Sequence, residues 1–123
     1  VVFKSYGIRK LVACNSKGGQ QRMREDGLTP ALAFRASEGE PLRHEGGLAG
    51  ADVFKGNLAT ARAFIKYMPE AEVSGLGGVF SGTGALAYLD IGCVGIQSTT
   101  GYMQFGGRIF EEILLYLDKN LAA

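Results

Sequence analysis

The sequence is poor in the groups from which metal sites and polyelectrolyte-binding surfaces are made. It holds one histidine, His44, and two cysteines, Cys14 and Cys93, in 123 residues. A lone imidazole excludes a histidine-rich metal site, and neither cysteine has a second Cys or His at the short spacing of zinc ligands. No paired Asp/Glu motif points to a Mg²⁺ site. With 13 basic against 12 acidic residues, the net charge of +1 gives no large field to attract nucleic acid or an anionic membrane. No apolar run approaches the ~20 residues of a membrane span, and nothing resembles a secretory leader. The Gly-Lys-Ser/Thr of a Walker A loop is missing, and the glycine spacing fits no clean dinucleotide fingerprint. No metal, nucleic-acid or membrane partner is therefore expected, and the sequence specifies no cofactor.

The cysteines stand among apolar neighbours, in Val12-Ala13-Cys14 and Ile91-Gly92-Cys93-Val94. A free thiol packs as a small hydrophobe, so both are read as buried thiols in a reducing compartment, with a disulfide as the alternative. That reading makes the protein cytoplasmic. A start at Val1 rather than Met fits a trimmed or partial chain.

Glycine, by contrast, is abundant, with 19 residues, about twice the usual share of roughly 7%. Residues 74–84 read Ser-Gly-Leu-Gly-Gly-Val-Phe-Ser-Gly-Thr-Gly, five glycines in eleven positions with no charge. Glycine reaches positive φ without a Cβ clash and leaves its amide open to a ligand. Gly77, Gly78, Ser81 and Thr83 are accordingly expected to meet ligand oxygens. The competing reading is steric: a turn, bulge or close subunit contact that admits only glycine.

The length suits one globular domain over residues 1–123 with one hydrophobic core. Residues 1–6 and 8–14, with Gly7 between them, read as a strand with a bulge or as two short strands, and 28–36 as a further strand with Pro30 suited to an edge or to its entry. Residues 37–50 lose apolar content and form an exposed loop. Over 51–68, Phe54, Leu58, Ala61, Ile65 and Met68 recur at helical spacing, Asp52 favours the N-terminus and Pro69 stops the helix. The apolar stretch 85–97 reads as a buried strand or a hairpin bending near Asp90, and 98–101 as a loop. A second helix over 107–120 buries Ile109, Phe110, Ile113, Leu114 and Leu117, with Glu111, Glu112 and Lys119 matching its dipole. The order of elements predicts an α+β fold, a mostly antiparallel sheet with two main helices packed on one face.

For proton transfer the candidates are Asp90, a carboxylate in apolar surroundings that is either desolvated or at a turn, and His44, flanked by Arg43 and Glu45. Arg43 and Lys17 could supply positive charge, and Tyr102 could project its ring and hydroxyl toward a ligand or simply anchor its loop. Cys93 as a nucleophile lacks a neighbouring base. These residues fit a domain binding a small polar or anionic metabolite between the glycine run and residues 99–102, as a small enzyme using acid–base chemistry. Its size makes a homo-oligomer the expectation. The rival is a non-catalytic oligomeric subunit or interaction module, its C-terminal helix serving as interface.

Overall fold

The computed structural model describes residues 5–14, 16 and 49–121. The chain divides into two units, Val1–Asn15 with Ala49–Ala123, and Ser16–Leu48. Only Ser16 of the second is among the described residues. Lys17, Arg43, His44 and the strand expected over 28–36 lie outside the described residues.

Strand β1 (Lys10–Ala13) comes first, and a single 3-10 turn at Ala51–Val53 leads into helix α1 (Phe54–Tyr67). Strand β2 (Glu72–Leu76), helix α2 (Gly82–Asp90), strand β3 (Gly95–Gln97), helix α3 (Thr99–Phe105) and helix α4 (Arg108–Leu121) follow. The sheet order is β1-β2-β3, and both pairs are parallel. This overturns the mostly antiparallel sheet expected from the sequence. Parallel neighbours need a crossover between them, which α1 supplies from β1 to β2 and α2 from β2 to β3.

The expectation failed at α2. Residues 85–89 are apolar without a break, but Ala85 and Tyr88 are buried while Leu86, Ala87 and Leu89 are half-buried, as on a short helix packed on most sides. Such a helix has no polar stripe and therefore no helical period to read. Its start is marked by Ser81, which has extended backbone angles and accepts the Gly84 N–H on its hydroxyl at 3.3 Å. Only Gly95–Gln97 of the expected 85–97 strand is extended. The loop expected over 98–101 is mostly the first turn of α3.

Helix α1 keeps the periodic face: Ala61 and Met68 are buried, and Phe54, Leu58 and Ile65 are half-buried. Asp52 makes no side-chain capping bond to it. Helix α4 lies against α2 and α3 with a narrower buried face than expected, since Ile109 and Ile113 are buried while Phe110 and Leu114 are exposed. Ala13 and Val73 from the strands join Ala61, Ala85, Tyr88, Ile109 and Ile113 from the helices in one core. Both cysteines are free thiols, Cys93 buried and Cys14 half-buried. No helix among the described residues is long and apolar enough to cross a membrane.

Candidate functional site

In a parallel sheet every strand ends at the same edge, and the segments leaving that edge converge there. Among the described residues two such segments are residues 77–81, between β2 and α2, and Ser98, which leads from β3 into α3. Together they border a cavity of about 170 Å³ lined by Gly77, Gly78, Val79 and Phe80 from the first and by Ser98, Thr99, Thr100 and Gly101 from the second and the start of α3, with Gly50 and Val53 also in its lining. Among the described residues no charged side chain lines it, and the polar groups they offer are peptide dipoles and neutral side chains.

The local sequence accounts for the shape of this wall. Gly77 and Gly78 have φ of 107° and 70°, the left-handed region that side chains disfavour. Gly78 also packs so closely on α1 that a Cβ would lie 2.5 Å from the Cβ of Phe54. Val79 is buried and holds the loop down. Its carbonyl accepts a 2.6 Å hydrogen bond from the Ser98 hydroxyl, which joins the two segments. Phe80 meets Phe105 edge-on at 6.5 Å.

Behind the wall stand two residues that the sequence reading missed. The side-chain amide of buried Asn57, on α1, donates to the Leu76 carbonyl at 2.9 Å. The Tyr88 hydroxyl, from α2, lies 3.1 Å from that carbonyl and 3.0 Å from the Gly77 carbonyl, so one hydrogen is shared between them. A signal for Asn57 was present, since it lies three residues after Phe54 and four before Ala61, on the apolar face of α1. A polar residue at such a position needs a buried partner.

Burial, with smaller contributions from the thiols of Cys93 and Cys14, pushes the Tyr88 phenol up to about 12. Because the folded value is raised above the ~10 of an exposed tyrosine, the stability it brings is complete below pH 10 and is lost as pH rises from 10 to 12. Urea unfolding across that window should show a loss of about 2–3 kcal/mol attributable to Tyr88. Tyr88→Phe should remove this part of the slope; an identical slope in the variant would contradict the assignment. Burial likewise raises the Cys93 thiol, which keeps it protonated and a poor nucleophile at neutral pH.

Of the residues singled out from sequence, Gly77 and Gly78 line the cavity. Ser81 and Thr83, whose hydroxyl oxygens are 2.8 Å apart, instead border a second, open depression of about 430 Å³ together with Gly78 and Phe80. Tyr102 is exposed and stacks on Phe110 at 6.0 Å, away from the cavity lining. Asp90 is the exposed last residue of α2, a nine-residue helix that carries it about 13 Å from the glycine loop at the helix start. Among the described residues no group of three or more His, Cys, Asp or Glu could hold a metal ion.

No family model matches the chain. Dihydroorotate dehydrogenase (fumarate) from Trypanosoma cruzi (strain CL Brener) is 28% identical over 112 residues, covering 91% of this chain and 34% of that protein. The crystal structure of DHODH from Eimeria tenella in complex with ferulenol superposes with a TM-score of 0.75 at 17% identity, over 98% of this chain and 29% of its own. The ligand-free type from the same organism gives 0.71 at 17% identity, over 98% and 31%. The chain thus spans about a third of the length of the proteins it matches, and it shares with that third of the dehydrogenase structures its fold of parallel strands and helices.

Proposed function

We propose that this chain holds the anionic group of a small metabolite, a phosphate or a carboxylate, in the cavity at the strand ends, as part of an enzyme. One observation carries the reading. Gly77 and Gly78, consecutive and both at positive φ, line that cavity while their neighbouring carbonyls are engaged by Asn57 and Tyr88 on the other side. Successive N–H groups in a turn can form a concavity that suits an anion, and glycines that reach positive φ allow the backbone to turn in this way. Open α/β sheets bind their ligands at this same edge.

The similarity to a dehydrogenase named for dihydroorotate and fumarate supports the class of ligand, since both compounds carry carboxylates. Asp90, exposed at the far end of α2, does not enter this reading as a proton-transfer group.

Thermal unfolding of the chain with inorganic phosphate, fumarate or dihydroorotate tests the proposal. A ligand bound only by the folded state stabilises it by about 2.7 kcal/mol at a hundred times its Kd. For a chain of this size that raises Tm by about 10 °C. At least one of the three is expected to do so, with a shift that grows with the logarithm of its concentration above Kd. No shift with any of them at tens of millimolar would remove the basis for an anion site.

A further inference from the structure

The cavity wall is made of peptide groups, and what aims a peptide group is whatever holds its other end. A trans peptide sets its C=O and the following N–H on opposite sides of the backbone, and no cis bond occurs among the described residues. The Leu76 carbonyl shares its peptide with the Gly77 N–H, and the Gly77 carbonyl shares its peptide with the Gly78 N–H. Both carbonyls are taken by side chains from the helix layer, Asn57 on α1 and Tyr88 on α2, and neither side chain lines the cavity.

We infer that Asn57 and Tyr88 are positioning residues: by drawing the Leu76 and Gly77 carbonyls toward the helices, they turn the Gly77 and Gly78 N–H groups to the cavity. This rests on reading the cavity as an anion site. Without these bonds the two glycines would be free to flip their peptide planes, because glycine has comparable freedom on both sides of φ. A flipped peptide would present a carbonyl oxygen to the anion in place of a donor. The backbone freedom that lets the loop adopt this shape therefore has to be removed by the two side chains behind it. Tyr88 is itself fixed, since it is fully buried and its ring meets Phe54 edge-on at 5.5 Å.

The test uses N–H residual dipolar couplings, which report the direction of each amide, alongside calorimetric titration with inorganic phosphate and with fumarate. Tyr88→Phe keeps the ring and its contact with Phe54 and removes the hydroxyl; Asn57→Leu keeps the volume and removes the donor. Both are expected to change the Gly77 and Gly78 couplings while those of α4 stay as in the wild type, and to weaken the anion that binds by about tenfold, equivalent to about 1.4 kcal/mol. Ile113→Val, which loosens the core without touching either carbonyl, should alter neither quantity. If one of the first two variants does not fold, the other supplies the comparison. Unchanged couplings overturn the inference, as does an unchanged Kd in a variant whose couplings have moved. A wild-type chain that binds neither anion removes the site itself; couplings that still move in the variants would then leave the orienting role of the two side chains intact.

Discussion

Urea unfolding of Gly75→Ala is expected to show a loss of about 3 kcal/mol, at the upper end of what overpacking costs. Gly75 lies in the central strand with Ala13 opposite on one side and Ile96 on the other. A Cβ there would fall on the ring of Tyr88, 2.5 Å from Cγ and 2.9 Å from Cβ. Neither partner can yield cheaply. The strand is held by hydrogen bonds to both neighbours, and Tyr88 is held by its burial and by its hydroxyl. Gly84→Ala makes the control, because its added Cβ would find only ordinary contacts, 3.6 Å from Phe54 and 3.7 Å from Ser81. In the first turns of α2 that change should be neutral or stabilise by up to about 1 kcal/mol. Equal stability of the two variants would mean that Tyr88 does not pack on β2 as described.

The second large effect is on binding. Gly78→Ala should weaken the anion by about a hundredfold, equivalent to about 2.7 kcal/mol, while the chain still folds. Two costs act together. Alanine at φ 70° is strained, by about 1–2 kcal/mol, and its Cβ would approach Phe54 Cα at 2.9 Å and the Gly50 carbonyl at 3.0 Å. The loop must move away from α1, and the N–H groups of the wall move with it. Ser81→Ala should leave the affinity within about twofold, because the Ser81 hydroxyl is already engaged with Gly84 and Thr83 and lies outside the cavity lining. Titration of both variants with the same anion decides the matter: a Gly78→Ala chain that binds as well as wild type would place the ligand elsewhere.

The long amphipathic helices were legible because each has a polar side to contrast with its buried one. Phe54, Leu58, Ala61, Ile65 and Met68 gave α1 its period, and Ile109, Ile113 and Leu117 gave α4 its inner face. Strand β1 (Lys10–Ala13) falls within the stretch 8–14 read as extended, but β2 and β3 were not legible as separate strands, for a physical reason. Glu72–Leu76 and Gly95–Gln97 are short and each contains a glycine, so their character comes from the neighbours that pair with them and not from their own side chains. Reading 1–6, 8–14 and 28–36 as successive strands, passing over β2 and taking α2 as part of a strand left too few helical crossovers for a parallel sheet, and the sheet direction followed wrongly. The glycine run was visible, yet it is three things: the end of β2, a short loop, and the start of α2. Gly77 and Gly78 could be picked out as backbone specialists. Tyr88 was passed over because its role depends on two carbonyls, which leave no trace in a sequence; Asn57, a polar residue on the apolar face of α1, carried a signal of burial but none of the carbonyl it meets.

The Ser98 hydroxyl has a single hydrogen, and the Val79 carbonyl takes it. Toward the cavity this serine therefore has only lone pairs to offer, an acceptor set into a wall otherwise valued for its donors. A fully deprotonated oxygen placed beside it would be repelled, whereas a ligand atom that still carries hydrogen would be welcomed. For the proposed anion site the expected consequence is a preference by protonation state: a monohydrogen phosphate, or an acid with a neighbouring hydroxyl or amide, should bind better than a bare oxyanion of the same size.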